Sequence, residues 1–218
     1  MASTPSAPRT NVYVDGFNLY YGCLRDTPDR WLNVGALVAR MFPDHAIGRI
    51  RYFTARVKPT GANPQKPIRQ QVYLRALATI PDLTIHEGNY QINKVRRELV
   101  TPLADGTTHA RVRDPKEKGS DVALATYLLA DGFQGDYDAA IVISNDSDLR
   151  LPVEVVRTVL GRDVIVAAPC SLPGRYPSTE LRRTATALVS ISGADLAACQ
   201  FAATLPDAHG TITKPVGW

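Results

Sequence analysis

Residues 139–148 read Ala-Ala-Ile-Val-Ile-Ser-Asn-Asp-Ser-Asp: five apolar positions that run straight into a turn carrying two aspartates. An apolar run without alternation marks a strand covered on both faces, as the inner strands of parallel sheets are. Parallel neighbours need crossover helices, and the flanking sequence supplies them. Before the run, a helix over about 120–131 carries Val122, Ala125, Leu128 and Leu129 as an apolar stripe. After it, a helix over about 149–160 is closed by Gly161, and Asp163-Val164-Ile165-Val166-Ala167 makes the next buried strand.

The same rhythm continues outward. Asn11-Val12-Tyr13-Val14 is a β-branched and aromatic strand that stops at Asp15-Gly16. A helix over about 33–41, a strand over 49–55, a helix from about 64 to 79 opened by a proline, and a strand over 83–87 follow. On the far side come a helix near 178–185, a short strand at 187–191 and a last helical turn at 193–199. Strands alternating with helices predict an α/β fold with a central, mainly parallel sheet covered on both faces. Residues 90–113 break the pattern. Two alternating segments flank Ala104-Asp105-Gly106-Thr107, whose Asp-Gly pair signals a hairpin. Lys94, Arg96 and Glu98 share one face of the first arm, and His109, Arg111 and Arg113 one face of the second. This is expected to be a basic hairpin inserted into one domain over residues 11–200. Residues 1–10 are expected to be disordered, and residues 201–218 to form an irregular tail.

Composition narrows the setting. With 218 residues and 44% hydrophobic content the chain can bury one substantial core. Its net charge of +4 suits a polyanionic partner without demanding one. Cys23, Cys170 and Cys199 are scattered and odd in number, against a disulfide framework or zinc site and for a reducing compartment. The opening MASTPSAPRT has no apolar core of a secretory signal, and no run approaches the roughly 18 apolar residues of a membrane span. The expectation is a cytoplasmic chain with no membrane contact; a homodimer or a protein partner stays open.

The chemistry-bearing residues are acids at strand ends. In open α/β sheets the reactive site lies beyond the carboxyl ends of the strands, where strand order reverses. If the strands ending at Asp15 and Asp146 are neighbours, both carboxylates meet at that edge, and a right-handed crossover brings Asp121, at the start of the preceding helix, to the same end. Two unit charges about 4 Å apart repel by about 4 kcal/mol at an effective dielectric near 20. Such a cluster therefore needs protonation or a cation. Oxygen-only donors suit Mg²⁺ or Mn²⁺ rather than zinc. Each acid also has a plainer reading: Asp148 as the cap of the helix at Leu149, Asp121 as a helix-dipole partner, Asp15 and Asp146 as turn residues. Their coincidence at one edge is what favours a site.

Three runs carry a family resemblance: Val12-Tyr13-Val14-Asp15-Gly16-Phe17-Asn18-Leu19-Tyr20, Lys118-Gly119-Ser120-Asp121-Val122 and Ser144-Asn145-Asp146-Ser147-Asp148-Leu149. In order and separation they resemble the acidic motifs of NYN-domain proteins, a branch of the PIN-like nucleases, over roughly residues 11–192. The resemblance implies a PIN-like, Rossmannoid three-layer sandwich, a Mg²⁺ or Mn²⁺ site and endoribonuclease activity. By position Asp15, Asp121, Asp146 and Asp148 match the family's acidic residues, and Asn18 its polar helper. Asn145 stands where family members often carry Gly, a change that matters only if that backbone needs a positive φ, which Asn tolerates. Lys94, Arg96, Arg111 and Arg113, with Lys116 and Lys118, are candidate RNA contacts. Tyr90 and His109 are candidates to stack on unpaired bases; the plain alternative for this arm is a solvated ribbon or a dimer contact. The expected activity is metal-dependent hydrolysis of single-stranded RNA. The alternative is an NYN-type module that binds RNA or protein without cutting. A haloacid-dehalogenase phosphatase would want a second Asp where Phe17 stands, and no Gly-x-Gly-x-x-Gly follows the first strand to hold a dinucleotide.

Overall fold

The computed structural model describes residues 6–59 and 63–218. Seven strands form one sheet: β1 (Arg9–Asp15), β2 (Ala46–Ala55), β3 (Leu83–Glu98), β4 (His109–Lys118), β5 (Ala139–Ile143), β6 (Asp163–Ala168) and β7 (Ala187–Ser190). Their spatial order is β4-β3-β2-β1-β5-β6-β7, and every neighbouring pair is parallel except β3 with β4. The helices are α1 (Gly16–Leu19), which runs into a π-helical turn (Tyr20–Leu24), then α2 (Val34–Met41), α3 (Lys66–Leu77), α4 (Ser120–Gln134), α5 (Arg150–Thr158), α6 (Thr179–Thr184) and α7 (Gly193–Ala198).

Alternation along β1 sorts the helices into two layers. Val12 and Val14 face one core with Leu37 of α2, Tyr73 and Leu77 of α3 and Leu196 of α7. Tyr13 faces the other, with Leu124 and Leu128 of α4, Val153 and Val156 of α5 and Leu181 of α6. β5 is buried at all five positions, as a strand with helices above and below must be. The second core holds a buried charge that no local sequence pattern announces. Asp131 of α4 accepts a bidentate pair from Arg51 at 2.8 and 2.9 Å and a 2.8 Å bond from the Tyr13 hydroxyl. The Arg51 guanidinium lies over the Tyr127 ring at 4.3 Å, so both partners are satisfied away from water.

Three stretches differ from expectation. The strand predicted to stop at residue 87 does not stop: β3 leaves its partner β2 after Gly88 and runs on to Glu98 as a two-stranded ribbon with β4. The Gly88-Asn89 pair reads as a break, but Gly88 answers a packing need. A Cβ there would lie 2.8 Å from the Lys118 carbonyl oxygen as β4 closes against it. The tail from residue 201 is also more ordered than expected. It forms a small hairpin, β8 (Thr204–Asp207) with β9 (Gly210–Thr213), tied to α3 by Asp207 and Arg75 at 2.7 Å. Pro206 inside the first of these strands, and Ile212 as the lone large apolar residue of the second, hide both in the sequence. At the other end, disorder expected over 1–10 falls partly on residues 1–5, outside the described residues. Arg9 and Thr10 already belong to β1, with the Arg9 guanidinium 2.8 Å from Asp138. All three cysteines are free, and among the described residues no helix is long and apolar enough to cross a membrane.

Candidate active site

β1 lies between β2 and β5, at the point where the chain's strand order reverses. The crevice expected there is present as a cleft of about 390 Å³, lined by Asp15, Asn18, Tyr90, Glu117, Asp121, Asp146 and Arg175 among others. Asp15 is the last residue of β1 and 4% exposed. One of its oxygens accepts from the Asn18 amide at 2.9 Å, which caps α1, and the other from the Ser144 hydroxyl at 3.0 Å. The Ser144 oxygen in turn accepts from the Asp146 amide at 3.1 Å, while Asn18 Oδ1 accepts from the Asn145 amide at 3.0 Å. The ends of β1 and β5 are thus laced together across 127 and 129 residues of chain by two short side chains. Asp146 Oδ1 caps the following 3-10 turn through the Asp148 amide at 3.0 Å.

The remaining pieces are held by equally specific local packing. The π-helical turn after α1 brings Gly22 against the loop that follows β6, where a Cβ would sit 1.9 Å from the Pro169 carbonyl oxygen. Only glycine permits that approach, and it closes one wall of the cleft. Asn145 fastens the far end of the same loop, accepting from the Ser178 amide at 2.6 Å and donating to the Tyr176 carbonyl at 2.8 Å. Its φ is not positive, so asparagine in place of a glycine there is used for its side chain. At the mouth, Phe17 stacks between Tyr21 and Tyr90 with centroids 6.4 and 6.2 Å apart.

The acids feel one another. Burial pushes the Asp15 carboxyl up to about 7, with the nearby charges of Asp121 and Asp146 adding to the rise against the two hydrogen bonds it accepts. Asp121 is raised too, first by burial and then by Glu117, Asp146 and Asp148. The three acids expected at the sheet edge therefore share one cleft. Asp148 does not line it; it is exposed at the rim and acts on Asp121 through its charge. Among the described residues no three acids, histidines or cysteines stand close enough to close around one ion. The donor set is nonetheless all oxygen, and no arginine or lysine is paired with Asp15, Asp121 or Asp146 among the described residues. This fits a hard cation that keeps several of its waters and takes one or two carboxylates, as Mg²⁺ does.

The candidate RNA contacts fall outside the cleft, along the ribbon. Lys94 lies directly opposite Arg113, and Arg96 opposite Arg111. All four are exposed, and none has an acidic partner among the described residues. Lys116 differs: Asp114 lies 3.7 Å from its ammonium. Lys118 is exposed at the end of β4. Arg175 on the cleft wall was not legible, because it belongs to an irregular loop. Phe17, Tyr20 and Tyr21, three and four residues apart, could have been read as one aromatic face.

An α/β layering with acids gathered beyond β1 and β5 defines a class of protein, and sequence comparison agrees on which. The NYN domain family model matches residues 9–192, and the chain belongs to that family. The chain is also similar to 6-hydroxy-3-succinoylpyridine 3-monooxygenase HspA of Pseudomonas putida, 31% identical over 96% of this chain and 75% of that protein. In fold it resembles a protein of unknown function from Vibrio parahaemolyticus, with a TM-score of 0.56 at 18% identity over 88% of this chain and 97% of that one.

Proposed function

We propose that the protein is a divalent-metal-dependent ribonuclease that hydrolyses phosphodiester bonds of single-stranded RNA at the acidic cleft. The observation that carries this reading is the convergence of Asp15, Asp121 and Asp146 on one cleft, with Asp15 and Asp121 held above the ordinary carboxylate range by burial and by neighbouring acids. One or two of those carboxylates would hold Mg²⁺ or Mn²⁺ directly and the rest through its waters, with Asp148 supporting from the rim. A bound ion of this kind makes water a nucleophile at neutral pH and stabilises charge on a phosphodiester under attack. Asn18 and Ser144 keep Asp15 and the Asp146 turn in fixed relation. The Asn18 side-chain amide NH₂, unused by protein partners among the described residues, is available to a phosphate oxygen. The family supplies the general expectation of a PIN-like nuclease.

The ribbon supports RNA as the partner. Tyr90 and Glu117 are opposite each other and line the cleft. On the same face, four and six residues along β3, lie Lys94–Arg113 and Arg96–Arg111. At about 3.4 Å per residue these pairs sit about 14 and 20 Å from the cleft. Like charges directly opposite destabilise a ribbon, so two such pairs in series suit a phosphate backbone laid along them.

The test is cleavage of labelled single-stranded RNA. Activity with Mn²⁺, its loss in EDTA and its loss in Asp146→Asn, with the melting temperature retained, are the expected results. Asn18→Ala should lower the rate by about 10- to 100-fold. RNA binding with no metal-dependent cleavage would replace this reading with that of a non-cutting RNA-binding module. A second reading comes from the similarity to HspA, named for oxygenation of a succinoylpyridine. Dioxygen uptake in the presence of 6-hydroxy-3-succinoylpyridine and a reductant, with no RNA cleavage, would favour it.

A further inference from the structure

A second cavity, of about 150 Å³, shares Phe17 and Tyr21 with the acidic cleft but none of its acids. Its walls are aromatic: Phe17, Tyr20 and Tyr21 from α1 and the π-helical turn, Tyr52 from β2, Tyr73 from α3, and Trp218. Its charge has the opposite sign from the cleft. Arg30, Lys66 and Arg69 line it, against one acid, Asp26, which is itself paired with Arg25 at 3.1 Å. The three cations are half-buried. None has a carboxylate within 4 Å among the described residues; Arg30 and Arg69 donate only to the neutral oxygens of Gly217, Thr27 and Asn63. Half-buried cations lacking counterions favour an anion in the space they share.

A third feature is a free hydroxyl on the wall. Tyr52 is 5% exposed and lines the cavity, and its hydroxyl has no hydrogen-bond partner among the described residues. Its neighbour Tyr73 is satisfied, donating to the Leu32 carbonyl at 2.9 Å. Gln70, also on the wall, is engaged by the Val57 amide and the Ala55 carbonyl. The hydroxyl is not sealed from open space, and the cavity it lines is where a ligand group meets it.

We propose that the cavity binds one planar aromatic ring bearing an anionic group. The ring lies against the tyrosine and phenylalanine faces, the anion meets Lys66 and Arg69, and a ring heteroatom or substituent engages the Tyr52 hydroxyl. A cavity of this volume takes a benzene-sized ring, so a single ring enters and a fused pair does not. Two sources share this chemistry: a pyrimidine nucleotide and a free heteroaromatic acid. Such a ligand would be held whatever reaction occurs at the acids.

Calorimetric titration of the full chain with UMP, AMP, pyridine-3-carboxylate and pyridine-3-carboxamide tests it, followed in parallel by Trp218 fluorescence. Saturable one-to-one binding of UMP or of the carboxylate is expected, with the carboxamide and AMP each about tenfold weaker or more. Preference for UMP identifies the nucleotide source, and preference for the carboxylate the free acid. Lys66→Ala and Arg69→Ala should each cost the anionic ligand about tenfold and leave the carboxamide unchanged. Tyr52→Phe should weaken both, and Asp146→Asn neither. Failure of both anions to saturate at millimolar concentration overturns the proposal. So does binding that ignores Lys66→Ala and Arg69→Ala, or that disappears in Asp146→Asn.

Discussion

Asp15 does two jobs that pull against each other. Its oxygens cap α1 and receive Ser144, which fixes the junction of β1 and β5. Its burial among other acids nevertheless penalises its charge, and the carboxyl rises to about 7. A carboxylate whose folded value lies above its ordinary one near 3.8 binds more protons folded than unfolded between those limits. Its contribution to stability therefore falls as pH rises from about 4 to 7. His86 shifts downward, through burial and the charge of Arg51, so it slopes the other way and the wild-type profile alone is not diagnostic. The difference between wild type and Asp15→Asn is. With divalent ions chelated, the variant should gain in melting temperature relative to wild type from pH 5 to pH 8, by several degrees, and scanning calorimetry across that range checks it. A gap that stays constant with pH would mean the carboxylate is not strained.

At the scale of elements, the ribbon of β3 and β4 sets local stability against its proposed task. Arg96→Glu replaces a repelling pair with opposite charges, the introduced carboxylate facing Arg111. The ribbon should gain by a few tenths of a kcal/mol. Binding of single-stranded RNA to an Asp146→Asn background should weaken at the same time. The slope of log affinity against log salt should fall by about 0.7 to 1.4 for the one cation removed and one anion added. Fluorescence anisotropy over a salt series reads this directly; an unchanged slope would remove the ribbon from the RNA path. The ribbon also shows what a sequence conveys. Its facing residues followed from alternation alone, since Lys94, Arg96, Arg111 and Arg113 all lie on one face. The continuity of its first arm with the strand over 83–87 did not, because Gly88 reads as a break when the backbone that crowds it, at Lys118, is far along the chain.

At the scale of the whole molecule, the sheet and its acids were readable because the inner strands are local patterns and two of them, β1 and β5, run into aspartates. The cavity beside them was not, since residues 52–74 supply only part of its lining and most of the rest comes from α1, the π-helical turn and Trp218, far away in sequence. The buried pair of Arg51 and Asp131 was hidden for the same reason: one partner sits on a strand, the other on a helix 80 residues later. Removing Asp131 leaves a guanidinium 12% exposed with no counterion. Asp131→Ala should therefore cost about 3–5 kcal/mol, measured by urea denaturation, and should lower expression before it affects any assay of the cleft. A loss below about 1 kcal/mol would mean that water reaches Arg51.

The lacing of β1 to β5 by Asn18 and Ser144 has a bearing on how the protein comes into being. Asp15 precedes Asp146 by some 130 positions, and the edge they share forms only when the two strands lie side by side. A polypeptide made only as far as β1 carries Asp15 without the neighbours that bury it. The crevice is completed when the fifth strand slots in beside the first.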